Sequence, residues 1–291
     1  GNPLAIHMRL RRDGHPLQLD KSALASAIPN AGGKLLVLAH GLCMNDLQWA
    51  RQGHDHGTAL ARDLGYTPAY LHYNSGRHIS TNGREFADQL EILVANWPVA
   101  VKELAILGHS MGGLLARSAW HYGTAADHTW PRRLKKLVFL GTPHHGAPME
   151  RGGNLIDIAL GVSPYTAPLS RLGKIRSAGI TDLRHTWLLD EDWRGRDRFA
   201  RSSGHHAAVP LPDGVKCFAI AATTGKQAGD IKDRLVGDGL VPLASALGCH
   251  AEHDRNLMFP PDRQWIALET GHLDLLCRKP VYERIRGWLA A

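Results

Sequence analysis

Between residues 104 and 117 the chain reads L-A-I-L-G-H-S-M-G-G-L-L-A-R, and no other stretch limits the fold as strongly. An apolar run too short for a helix stops at Gly108, Ser110 follows two residues later, and Gly112 and Gly113 precede a run with helical period. A strand that becomes a helix within two or three residues forces the corner residue into a strained backbone, and only small neighbours let the two elements approach. Ser110 is therefore expected above the carboxyl edge of a sheet with its hydroxyl lifted clear. A phosphate-binding loop is the competing reading, but no Gly-Lys-Ser/Thr follows.

The rest of the chain supports that setting. Apolar runs at residues 34–39, 68–72, 104–107, 136–140, 216–221 and 264–269 read as buried strands. Residues 58–64, 82–95, 111–122 and 281–289 carry helix-period apolar positions between them. This alternation predicts an α/β fold: a mostly parallel central sheet with helices on both faces. Residues 149–212 break the pattern, being rich in Gly, Pro, Arg and Trp, with 155–160 and 169–175 as short apolar helices. They are expected to form an inserted lid within one domain spanning residues 1–291.

A serine hydroxyl needs a base, and the base an orienting carboxylate, in the chain order Ser, Asp, His for a nucleophile at such a corner. G-D-G-L-V-P places Asp238 in a loop after the run 216–221, and E-T-G-H-L-D places His272 three residues after the run 264–269. Both lie where loops converge at strand carboxyl ends. Asp230, Asp233 and Asp274 are the other candidates for the acid. The Met111 N–H at the helix start, and the Leu42 N–H after the His40-Gly41 turn, are the expected donors to an oxyanion. His40 is expected to brace that loop beside the substrate, with Gly41, and not to act as base.

With these residues in place, the chain resembles the α/β-hydrolase superfamily, and within it the bacterial triacylglycerol lipases and esterases and the PGAP1-like serine hydrolases. The resemblance rests on the motifs at residues 38–42, 108–113, 141–148, 237–242 and 271–274, and extends from residue 34 to the C-terminus. It implies the α/β-hydrolase fold and ester hydrolysis through Ser110, His272 and Asp238. Residues 1–33 have no counterpart in it. Many secreted lipases of this group bind calcium beside the catalytic histidine, through an aspartate that Asp274 matches; Arg278 follows within a turn, so no metal and no cofactor is expected. Acyl transfer or amide cleavage on the same site is the alternative activity, and an inactive binding protein the alternative class.

Other features take narrower readings. His144 and His145 follow the run 136–140 and are expected to line a substrate pocket, as are Ile156 and Leu160 of the lid. The histidines of 53–57 and the pair His205-His206 fit no zinc spacing. Trp187 and Trp193 fit packing and lipid contact equally. The formal charge of +7 is scattered among acidic residues, which argues against nucleic acid. The expected partner is a small-molecule or lipid ester, with transient contact at a lipid surface left open. Four cysteines without a C-x-x-C pair read as free thiols, a Cys249–Cys277 disulfide being the alternative in an exported form. A cytoplasmic location is expected, or a periplasmic or secreted one if a signal preceded Gly1.

Overall fold

The computed structural model of the protein describes residues 6–146, 177–195, 209–227 and 237–291. It opens with a short hairpin, β1 (Arg9–Arg12) and β2 (His15–Pro16), and α1 (Lys21–Ala27). Strands and helices then alternate: β3 (Lys34–Ala39), α2 (His56–Leu64), β4 (Thr67–His72), α3 (Ile79–Asn96), β5 (Glu103–His109), α4 (Met111–Ala125) and β6 (Leu134–Leu140). After them come α5 (Ala178–His185), α6 (Asp190–Trp193), β7 (Lys216–Ala222), α7 (Leu243–Ala246), β8 (Gln264–Ala267) and α8 (Lys279–Ala290). One sheet joins the strands in the order β2-β1-β4-β3-β5-β6-β7-β8. It is parallel from β4 to β8 and antiparallel only where β1 meets β2 and β4.

Side-chain alternation along each strand divides the core between the two faces. Leu35, Val37 and Ala39 pack with Phe86, Leu90, Leu114 and Leu115 of α3 and α4. Leu36 and Leu38 pack with Leu60 of α2 and with Ile285 and Leu289 of α8. Burying each such side chain stabilises the fold by about 1.5–3 kcal/mol, so a strand covered on both sides must be apolar at every position. That is why 34–39 shows a continuous run and not an alternating one.

Two parts add to the sequence reading. Residues 9–12, which match nothing by pattern, extend the sheet: Leu10 pairs with Leu71 and is fully buried. The described portions of the expected lid, 177–195 and 209–212, each send side chains into the core, among them Ile180, Leu183, Leu188, Leu189 and Val209. Trp187 is buried, and Trp193 stacks on His78 at 3.8 Å while its Nε1–H donates to Ser80 Oγ. Both tryptophans are thus packing anchors. Ile156, Leu160 and His205-His206 lie outside the described residues.

Residues 177–195 are also fastened by polar contacts. Asp182 Oδ2 accepts from the Ile79 N–H at 2.7 Å, capping α3 from far along the chain, and His78 Nδ1 lies 3.0 Å from Asp182 Oδ1. Burial raises the Asp182 pKa, and His78 and the Ile79 N–H oppose that rise. Ser118 of α4 donates to Leu188 O, and Arg84 pairs with Asp190. All four cysteines are free thiols, and only Cys217 is fully buried. Among the described residues, no helix is long and apolar enough to cross a membrane.

Candidate active site

β5 ends at His109 and α4 starts at Met111, so the chain reverses on Ser110 alone. Its backbone stands at φ 54° and ψ −122°, a conformation that costs a residue with a side chain about 1–3 kcal/mol and persists only where the surroundings impose it. The surroundings here are the three glycines and the strands beside them. A Cβ on Gly112 would lie 2.1 Å from Ala39 O, one on Gly108 2.6 Å from Gly113 Cα, and one on Gly113 2.1 Å from Thr142 Oγ1. Helix and strands thus meet backbone to backbone. The Ser110 N–H donates to Leu140 O at 2.8 Å, which locks the corner to β6.

The loop after β3 runs over this serine. A Cβ on Gly41 would sit 3.1 Å from Ser110 Cβ, which fixes how close the loop comes. His40 lies fully buried beneath it, stacked on Tyr73 at 4.3 Å, with its Nδ1–H donating to Gly41 O; Tyr73 O–H donates to His40 O. Burial lowers the His40 pKa to about 4 and keeps the ring neutral. The ring therefore braces the loop from the side of Tyr73. Among the described residues, neither the Leu42 nor the Met111 backbone N–H donates to a backbone acceptor. Met111 opens α4, at whose N-terminus the aligned peptide dipoles favour negative charge.

Asp238 and His272 arrive from the loops after β7 and β8. His272 Nδ1 lies 2.6 Å from Asp238 Oδ2, and both side chains are almost entirely buried. Asp238 Oδ1 accepts from the N–H groups of Leu240 and Val241 at 3.0 and 2.8 Å, and the His272 N–H donates to Asp238 O. One carboxylate oxygen is thus fixed by its own loop and the other is presented to the imidazole. With Nδ1 as the donor, His272 Nε2 keeps a lone pair. Asp274, the other described candidate, accepts from the Gly271 N–H and caps its own turn. Asp230 and Asp233 lie outside the described residues.

His109 links the serine corner to the histidine loop. Its Nε2–H donates to His272 O at 3.1 Å and the two rings lie 4.7 Å apart. Burial, and next the neighbouring His272, hold the His109 pKa well below the usual histidine range, so it stays a neutral donor. Pattern reading passes over this residue because it occupies a variable place between Gly108 and Ser110. His56 Nε2–H donates to Leu275 O at 2.9 Å, and its Nδ1 accepts from the His54 Nε2–H at 2.8 Å, which gives the histidines of 53–57 a place in the packing of this loop. His144 and His145 line a cavity whose wall contains neither Ser110 nor His272.

The model of the PGAP1-like alpha/beta domain family matches residues 30–210, more than half of the chain. No curated protein matches the chain in sequence. Among solved structures, the mature form of a Bacillus licheniformis lipase superposes with a TM-score of 0.56 over 98% of this chain and 99% of its own, at 17% identity. Aspergillus fumigatus lipase B gives 0.52 over 92% of this chain and 57% of its own, at 12% identity. A metagenomic carboxyl esterase gives 0.51 over 88% and 74%, at 16% identity. At such identities the likeness is one of fold, and the fold is that of the α/β hydrolases.

Proposed function

The chain belongs to the family of PGAP1-like α/β domains, and from that premise we propose that it hydrolyses carboxylic esters through an acyl-enzyme formed on Ser110. The observation that carries this reading is the Asp238–His272 hydrogen bond, placed on the sheet edge where Ser110 is held in a strained corner. Ser110 Oγ attacks the ester carbonyl and its proton passes to His272 Nε2. The imidazolium that forms is stabilised by Asp238, which keeps its own charge. The Leu42 and Met111 N–H groups take the negative oxygen of the tetrahedral intermediate. His272 then gives its proton to the leaving alcohol, and in the second half-reaction it activates water to release the acid.

The substrate class is a small-molecule or lipid ester, and residues 149–212 are assigned as a cap within one domain. Two assays test the reading together. A fluorophosphonate should label Ser110 in the wild type and not in Ser110→Ala, and a p-nitrophenyl ester series from two to sixteen carbons should be turned over only by the wild type. Undiminished labelling of Ser110→Ala removes the nucleophile assignment. A labelled wild type that turns over no ester in the series moves the activity to another acyl chemistry.

A further inference from the structure

Arg117 sits two turns along α4 from Ser110, on the same face of the helix, and is 4% exposed. A guanidinium taken out of water needs a carboxylate or a full set of acceptors, since an uncompensated buried charge costs several kcal/mol. It has neither among the described residues. Nη2 donates to Val209 O, Nη1 lies 3.3 Å from His144 Nδ1, and Nε is buried with no partner. Burial lowers the Arg117 pKa to about 10, which leaves it charged at neutral pH.

The same cavity collects other unpaired groups. Arginine can only donate, so His144 Nδ1 is the acceptor and the proton of this neutral ring stands on Nε2. Among the described residues, that Nε2–H is also buried without a partner, as is His145 Nε2. His144 is kept neutral chiefly by burial and next by the charge of Arg117. The three side chains line a cavity of about 130 Å³, closed on its apolar side by Leu188, Val209, Leu211 and Leu257. At the mouth, Asp254 and Arg255 oppose one another in sign.

We propose that this cavity binds a small free carboxylate, held by Arg117 Nε–H and His144 Nε2–H. Arg117 and Arg255 against Asp254 give the lining a net formal charge of +1, which with neutral imidazoles matches a monoanion; a phosphate dianion would leave a buried negative charge, and water alone would leave the guanidinium without a counter-charge. The site is separate from the Ser110 edge and stands without the ester-hydrolysis reading. It shares with that edge helix α4, which carries Arg117, and the loop that follows β6. Gly141, at the start of this loop, lies against Asp238 and His272, and His144 is three residues on.

The test is a titration of the full chain, with isotope-labelled histidine, by sodium acetate and by sodium chloride at equal ionic strength. Acetate is expected to move the ring signals of His144 and His145 saturably and to leave those of His272 in place. Arg117→Gln is expected to weaken binding by about tenfold or more, the scale of one charge-assisted hydrogen bond. Should that variant fail to fold, Leu211→Trp fills the cavity from its half-buried rim without touching the polar wall, and it should abolish the shifts. Movement confined to His272 would put the ligand at the serine. Equal shifts with chloride would reduce the site to an adventitious ion only. Absence of any shift, or wild-type binding by either variant, would overturn the proposal.

Discussion

Asp238 divides its two oxygens: Oδ2 meets His272 Nδ1 at 2.6 Å while Oδ1 takes the N–H groups of Leu240 and Val241. The carboxylate is thus held by its own loop whether or not the imidazole is charged. Asp238→Asn should accordingly fold normally, with an unchanged melting transition, and lose on the order of 10⁴ in kcat because the imidazole loses its counter-charge and its correct tautomer. Asp274→Asn, which can still cap the Gly271 N–H, should lose less than about tenfold. Steady-state kinetics on one short ester compares them, and the opposite ranking would move the acid to Asp274.

Two glycine-to-alanine changes should have opposite signs. In Gly112→Ala the new methyl group would meet Ala39 O at 2.1 Å and His40 O at 2.7 Å, backbone atoms that cannot turn aside. A loss of about 3 kcal/mol or more is expected in urea unfolding. Gly287 of α8 is exposed with open space around it, so Gly287→Ala should gain about 0.5–1 kcal/mol from helix propensity. Equal effects at both positions would mean that the serine corner is more loosely packed than described.

Acid should weaken the fold in a defined window. Burial lowers His40 and His56 from 6.5 to about 4, so between those values the unfolded chain binds protons that the native one refuses. The stabilisation from neutral burial is complete above pH 6.5, declines as the pH falls toward 4, and changes no further below that. Each ring contributes roughly 3 kcal/mol at this scale. Urea midpoints measured from pH 7.5 to 4 should fall accordingly, and His56→Gln should flatten the curve; a flat wild-type curve would rule out neutral burial as the cause.

Chelation should leave turnover intact. The Asp274 carboxylate is engaged by the Gly271 N–H, and the Arg278 guanidinium bonds Glu269 O and Thr270 Oγ1 beside it, a poor environment for a divalent cation. Activity lost in EDTA and restored by calcium would show the opposite.

How far the sequence reaches depends on where each residue's partners lie. The parallel strands and the corner at Ser110 are legible because five-residue apolar runs and closely spaced glycines encode them locally. Asp238 and His272 are legible as residues in loops after strands, although the 2.6 Å bond between them depends on how two distant loops settle. The β1–β2 hairpin is not legible, since R-L-R-R shows a single buried position, Leu10. Nor is the capping of α3 by Asp182, whose partner is about a hundred residues away. Arg117 reads as an ordinary polar position on a helix, and only tertiary packing encloses it, between His144 of the loop after β6 and Val209.

If Ser110 is the nucleophile as proposed, its backbone conformation also bears on which side chains could replace it there. Cysteine has a single γ atom, as serine does, and can stand at φ 54° with its sulfur pointing the same way. A β-branched residue would add the crowding of a second γ substituent to the strain of φ 54° and ψ −122°, a different region from the φ 57° and ψ 41° at which Thr186 stands. On the proposed mechanism, an exchange of oxygen for sulfur at position 110 should therefore disturb the bend less than a threonine would.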